Sequence, residues 1–383
     1  MLQPNEIVFI ATNGHRSPSD IALDARKFPE LDIKKLAHQI QARKKLAEKL
    51  PSWVANNQVY FPASISVEQS SSESTAKFKA SLVSGSLIDI TGGMGVDVWA
   101  FSQTCTQVIY VEMQSELAAI STYNHEVLGC ENITHFAENS LDVLKNTDTD
   151  WIYADPARRN DQGEKVILFK DCQPNVLEVI AQYPDKKILI KTSPVLDISR
   201  AILELGGVSQ VYVVCTKQEV KELLFVRQGE RSMDPHISIV EDGITLFEGK
   251  HSSERSLENA IGSVKRYVYE AHPGVLKAGF FKSVLRADMV QLGEHTHLYS
   301  SDQLEEEFPG KVFEVIESGP VQGSWLSIKQ ANISTRNFPM SPEALRKKLK
   351  LKDGGEFTLF GIQNSSKKNE LILSKKITFA HSN

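Results

Sequence analysis

Between Leu87 and Val226 short apolar runs alternate strictly with helical patterns. That rhythm argues for a parallel sheet with helices on both faces. Candidate strands fall at 87–90, 108–112, 133–136, 151–154, 187–191, 211–215 and 222–226, with helices around 96–103, 115–128, 140–145, 174–182 and 197–204. The last two strands are too close for a helical crossover, so they read as a hairpin that places an antiparallel strand at the sheet edge. The first strand carries the densest signal. Leu87-Ile88-Asp89-Ile90 runs into Thr91-Gly92-Gly93-Met94-Gly95 and then a helix with Asp97 in its first turn. Gly93 and Gly95 carry no Cβ, so backbone and ligand can approach closely there. The free N–H groups of the new helix face an anion or a polar ligand.

Glu112 closes the second strand, about 20 residues beyond the turn, where a nucleotide-binding α/β fold places the acid that holds ribose hydroxyls. A dinucleotide fingerprint wants a small residue three positions after the second glycine, and here that position is Val98. This argues against NAD or FAD. The fourth strand ends in Trp151-Ile152-Tyr153-Ala154-Asp155-Pro156-Ala157-Arg158-Arg159. Its carboxyl end belongs beside that of the first strand, at the topological switch where open α/β sheets bind ligands. Asp155 stands where strand gives way to loop, and Pro156 stiffens that loop by fixing φ. Arg158 and Arg159 read either as phosphate grips or as solvated charges.

The formal net charge of −5 over 383 residues excludes a globally basic nucleic-acid binder but not a local basic patch. Four scattered cysteines without a CxxC support neither a zinc ribbon nor a disulfide framework. With no signal peptide and no apolar run of membrane-spanning length, the expectation is a soluble cytoplasmic protein without a membrane partner. Residues 1–60 read as a small helical unit. There Arg43, Lys44, Lys45 and Lys49 form either a solvated helix face or an RNA-facing one. Residues 62–75 are a polar loop or a lid over the site. Downstream, 237–240 and 244–247 form a hairpin around Asp242-Gly243, and a helix is expected over 253–269. A boundary at His272-Pro273-Gly274 precedes a second α+β unit with helices at 275–286 and 341–350 and strands at 311–317, 325–329, 356–362 and 370–379. His295 and His297 lack a partner acid or cysteine, so no metal site is expected. Arg346-Lys347-Lys348-Lys350-Lys352 is a solvated helix end or an RNA contact.

These residues resemble a known family. Asp89 through Gly95, including Thr91, Gly92 and Gly93, is similar to motif I of class I S-adenosylmethionine-dependent methyltransferases. Glu112 resembles their ribose-binding acid, Glu138-Asn139 the adenine contact, Asn124 a common helix position, and Asp155-Pro156-Ala157-Arg158 their motif IV. Tyr269-Glu270-Ala271-His272-Pro273 with Ala278-Gly279, Arg336-Asn337-Phe338-Pro339 and Gly354-Gly355 look like a bacterial group with a ferredoxin-like segment and a C-terminal THUMP-like domain, as do Glu68-Gln69, Ser71-Ser72-Glu73 and Lys79. The resemblance implies a doubly wound Rossmann-like sheet with an antiparallel edge strand over 85–272. It implies a helical region and loop over 1–84, a ferredoxin-like segment over 273–318 and an α+β THUMP-like domain over 319–383. It further implies S-adenosylmethionine as cofactor and structured RNA as substrate and partner. Asp89, Thr91, Gly92, Gly93, Gly95, Asp97, Glu112 and Asn139 are then cofactor-binding, and Asp155, Pro156 and Arg158 catalytic. Amine-methylating relatives carry a second proline and an aromatic ring where this chain has Ala157 and Arg158. Uracil-5-methylating enzymes carry Asp-Pro-Pro-Arg and need a thiolate, for which Cys215 is the candidate. The alternatives are a catalytically silent RNA-binding protein on the same fold and a nicotinamide-dependent oxidoreductase.

Overall fold

The computed structural model describes all residues except 24–25, 63–69, 158–168, 230–231, 287, 323 and 380–383. The chain divides into two compact units, Met1–Val211 with Glu222–Met233, and Tyr212–Lys221 with Asp234–Asn383. Among the described residues no helix is long and apolar enough to cross a membrane.

The first unit begins with α1 (Pro4–Asn13), α2 (Pro18–Leu23), α3 (Ile33–Leu46) and α4 (Pro51–Ala55). Apolar positions at helical spacing close a small core of Phe9, Ile10, Ile21, Ile33, Leu36 and Ile40. Arg43 does not belong to the solvated face that the periodicity suggests. Its guanidinium is buried and donates to the carbonyls of Val54, Asn56, Asn57 and Val59 at 2.6–3.1 Å. Burial lowers its pKa to about 10. Lys44 remains at the surface, donating to the His15 and Arg16 carbonyls. Asn124 acts as a second tie, exchanging both amide bonds with the Tyr60 backbone.

The sheet of this unit follows α5 (Glu73–Ser81). Its elements are β1 (Ser86–Asp89), α6 (Val96–Phe101), β2 (Gln107–Val111), α7 (Ser115–Val127), β3 (Ile133–Phe136), α8 (Ser140–Lys145), β4 (Trp151–Ala154), α9 (Val176–Gln182), β5 (Lys187–Thr192) and α10 (Ile198–Leu205). After β6 (Gln210–Thr216), β7 (Glu219–Arg227) returns. The order runs β3-β2-β1-β4-β5-β7. All pairs are parallel except β5 with β7, where Ile190 faces Phe225 in antiparallel register. The antiparallel strand arises as the short spacing predicts, with only Lys217 and Gln218, both at positive φ, between β6 and β7, but it is not the edge expected, since β6 follows β7 in the sheet order. Strands β1, β2 and β4 are buried nearly throughout, as layers on both faces require. Order reverses at β1, which pairs with both β2 and β4, so Asp89 and Asp155 emerge side by side.

In the second unit β8 (His236–Glu241) and β9 (Ile244–Lys250) form the expected hairpin, with Asp242 and Gly243 at positive φ. The helix expected over 253–269 reduces to α11 (Ser253–Ser256), and the chain enters β10 (Tyr267–Ala271) instead. Tyr267, Val268 and Tyr269 are β-formers whose cross-strand burial outweighs a helical spacing. After α12 (Pro273–Ala278) come β11 (Val290–Gln291), β12 (Leu298–Ser301), β13 (Gly310–Pro320), β14 (Gln330–Arg336), α13 (Pro342–Leu349), β15 (Lys352–Gln363) and β16 (Asn369–Lys376). They build a seven-stranded sheet in the order β11-β12-β10-β13-β16-β15-β14. Helix α13 is the crossover between the parallel strands β14 and β15, and Leu345 seats it on Leu359, Leu371 and Leu373.

Arg43→Met keeps most of the stem and removes all the donors, so buried carbonyls lose partners. We expect a loss of about 3 kcal/mol, measured by urea denaturation. An unshifted midpoint would show that these carbonyls find water.

Candidate active site

At the carboxyl ends of β1, β2, β4 and β5 the first unit holds a cavity of about 800 Å³. The turn from Thr91 to Gly95 forms its floor, and Glu112, Asn139, Asp155 and Lys191 stand around it. The glycines are required from behind as much as from the ligand side. A Cβ on Gly92 would lie 2.4 Å from the Tyr110 ring, and one on Gly95 2.5 Å from His125 Nε2. Gly93 and Gly95 also sit at φ +52° and +79°. Tyr110 and Ser121 hydroxyls donate to the Gly93 carbonyl at 2.6 and 3.0 Å. His125 Nε2 lies 2.8 Å from the Gly95 carbonyl, and a carbonyl only accepts, so Nε2 carries the proton. Its Nδ1 then accepts from His135 Nε2 at 2.8 Å. Burial pushes the His125 pKa down to about 4, which keeps the ring neutral.

Glu112 closes β2 with both carboxylate oxygens engaged. Oε2 accepts the Gly93 N–H at 2.9 Å and Oε1 the Gln114 N–H at 2.8 Å. Each oxygen retains acceptor capacity toward the cavity, which matches a pair of sugar hydroxyls. Asp89 is buried; its Oδ1 accepts from Thr91 N–H and Oγ1 at 2.8 and 2.9 Å. The Asp155 N–H in turn donates to Thr91 Oγ1 at 2.8 Å, so one hydrogen-bonded chain joins the two loops. Burial pushes the Asp89 carboxyl up to about 8, with the Asp97 and Asp155 charges adding to the rise. Asn139 caps α8, its side chain accepting the Leu141 N–H at 3.0 Å, and it borders the cavity with Glu138. Pro156 follows Asp155, and Ala157 bridges to Gln173 across the loop mouth. Arg158 and Arg159 lie outside the described residues, as do Glu68 and Gln69.

A group that the spacing argument did not assemble lies behind this loop. Lys79 of α5 is fully buried, 2.6 Å from Glu222 of β7 and 3.2 Å from Asp97 Oδ1. Asp97 Oδ2 accepts from Tyr153 Oη at 2.8 Å and Ser71 Oγ at 2.9 Å. Burial works to raise the Asp97 pKa, but Lys79 and Lys191 outweigh it and hold the carboxyl below its usual range. Lys191, at the end of β5, reaches Asp155 Oδ2 at 2.5 Å. Its signal in the sequence was a lone lysine inside Ile188-Leu189-Ile190-Lys191-Thr192, where a buried strand has no other use for a charge. Glu222 breaks its strand in the same way.

Cys215 does not serve as the thiolate. It is buried in the second unit, and burial, with Glu241 and Asp242, pushes its thiol up to about 12. The cysteine that borders the cavity is Cys172. Among the described residues, Cys215, Glu241 and His272 bring potential metal-ligating atoms within 4.8 Å of one another. However, His272 Nδ1 accepts the Gly274 N–H, so its proton belongs on Nε2, 3.2 Å from Glu241. A metal on Nε2 would need that proton on Nδ1, where a donor already points. His297 stacks on Phe281 at 4.2 Å and takes no part in that cluster.

Family models match residues 267–309 as a ferredoxin-like domain and 310–376 as THUMP domain-like. Two uncharacterized S-adenosylmethionine-dependent methyltransferases of Mycobacterium tuberculosis, strains CDC 1551 / Oshkosh and ATCC 25618 / H37Rv, are 22% identical over 298 residues, covering 75% of this chain and 80% of theirs. A Porphyromonas gingivalis W83 crystal structure, assigned as a methyltransferase, matches with TM-score 0.87 at 31% identity, over 99% of this chain and all of that one. This chain belongs to that methyltransferase family. S-adenosylmethionine is the cofactor, and the cavity fits it: the Glu112 carboxylate, with acceptor capacity left on both oxygens, suits ribose hydroxyls.

Two predictions test this methyltransferase site. Glu112→Ala is expected to weaken S-adenosylmethionine binding by about 1.5–3 kcal/mol, the range for hydrogen bonds to a charged group, read by calorimetry. Asp89 supplies the second. Its protonated form is the one the fold favours, so its contribution to stability is full below the ordinary value of 3.8 and is lost as pH rises through about 8. In the unliganded protein Asp89→Asn should flatten the fall of stability across that window. An unaltered pH profile would remove Asp89 from it.

Proposed function

We propose that this methyltransferase acts on a nucleotide in structured RNA, in the cytoplasm, with the tail delivering the substrate. The observation that carries the reading is the THUMP domain-like match over 310–376. S-adenosylmethionine supplies an electrophilic methyl group on a sulfonium. In the proposed site Glu112 holds the ribose, Asn139 borders the adenine, and the Asp89–Gly95 turn shapes the floor. Asp155 faces the acceptor, with Pro156 keeping its loop stiff; catalysis here is largely positioning at near-attack distance. Hydrogen bonds that tie the Asp155 loop to the cofactor turn favour an active enzyme over a silent RNA binder. Val98, buried in α6 where a dinucleotide fingerprint wants a small residue, disfavours the nicotinamide reading.

Because the whole chain is acidic, attraction to phosphate needs a local patch. Helix α13 stops at Leu349, and Lys350 caps it at φ +55°, so the basic cluster does not share one helical face. Arg346 is held by Asp353 at 2.5 Å. Lys347, Lys348 and Lys352 are exposed. Replacing these three with Ala should weaken RNA binding and flatten its log–log salt slope by about 0.7–0.9 per lost phosphate contact. S-adenosylmethionine affinity should hold, since none of the three borders the cavity. Unchanged RNA affinity and slope would return the lysines to a solvated face.

A further inference from the structure

We infer that the methylated atom is a hydroxyl oxygen, on RNA the ribose 2′-hydroxyl, held against the Lys191–Asp155 ion pair. The ribose rests on the RNA reading above; the oxygen rests on the charges around the cavity.

Lys191 borders the cavity, and its side chain is 12% exposed, with Nζ 2.5 Å from Asp155 Oδ2. Burial alone would lower its pKa, but Asp155, Asp97 and Glu222 overcome that and raise it, so the amine is an ammonium. Lys79 holds Glu222 and Asp97 in place from behind. An ammonium on the acceptor side selects among acceptors by the charge each develops. An amine nitrogen becomes cationic as its new bond forms, next to a fixed cation. A pyrimidine carbon needs a thiolate; Cys215 is absent from the cavity lining, and Cys172, which borders it, makes a methylated base the competing outcome of the test below. A hydroxyl oxygen moves the other way: it gains negative character as its proton leaves, which a preorganised ammonium stabilises.

The step balances. A lone pair of the hydroxyl oxygen forms the C–O bond, and the methyl–sulfur bond of the sulfonium donor breaks with its pair left on sulfur as a thioether. The hydroxyl proton passes to Asp155, whose side chain is 37% exposed and returns it to solvent. The 2′-hydroxyl also separates RNA from DNA, so DNA of the same sequence is not a substrate.

The test uses the full chain, tritium-labelled methyl donor and total RNA from cells lacking the gene, followed by alkaline hydrolysis. A methylated 2′-oxygen cannot attack the neighbouring phosphate, so the label is expected in alkali-stable dinucleotides. Label in mononucleotides carrying a methylated base overturns the hydroxyl inference and leaves the RNA reading standing. No label in RNA overturns the RNA reading and the ribose assignment with it. A binding measurement checks Lys191 without turnover. Lys191→Met removes a positive charge beside the sulfonium, so S-adenosylmethionine should tighten relative to its neutral demethylated product by roughly 3- to 10-fold. Lys191→Arg should keep the ratio. An unchanged ratio in Lys191→Met overturns the placement of the ammonium at the transferred methyl.

Discussion

Lys79 is buried without solvent contact, and the arrangement of the catalytic half depends on how its charge is met. An uncompensated ammonium in that position would be strongly destabilising, and one carboxylate leaves little room for error. The chain answers with Glu222 from β7 and Asp97 from the first turn of α6. Three segments far apart in sequence therefore fix one another: the helix before the sheet, the helix after the glycine turn and the antiparallel strand. Tyr153 joins the group by donating to Asp97, which ties in β4 one residue before its carboxyl end. The strand that carries Asp155 is thus held from beneath by electrostatics and not by packing alone.

Most of the sheet was legible because a buried parallel strand leaves a plain mark. Runs such as Val108-Ile109-Tyr110-Val111 admit few other uses, and the turn residues between them set the rhythm. The glycine turn, Glu112 and Asp155 were legible for the same reason, each being the polar residue that ends such a run. The partners of those residues were not. Lys191 and Glu222 sit inside strands, and nothing in a linear pattern says which charge a buried lysine will meet. Arg43 misled in the opposite direction: it follows helical spacing on a basic face, yet it turns inward because loop carbonyls at 54–59 need donors. The span 253–269 shows a further limit, since a helical period there yields to strand pairing of Tyr267–Ala271 with two neighbours.

The glycine turn is constrained from two directions at once. Tyr110 and the His125–His135 pair fill the space behind Gly92 and Gly95, and their donors take up the Gly93 and Gly95 carbonyls. With those carbonyls tied down, the Gly93 N–H is left for Glu112, which aligns the acid before any ligand arrives. The turn therefore reaches its binding geometry through its rear packing. Its shape is a property of the folded core, which lowers the ordering cost of binding.

Asp89 gives the site a proton inventory as well as a shape. Its carboxyl retains a proton to about pH 8 because it is buried close to Asp97 and Asp155. Anything cationic that settles over the turn reverses that balance and favours the ionised form. Capture of such a cation would then release a proton, and the heat of binding would depend on the ionisation enthalpy of the buffer. The neutral product would lack that charge, so the proton would be regained when the methyl group is transferred, before the product leaves.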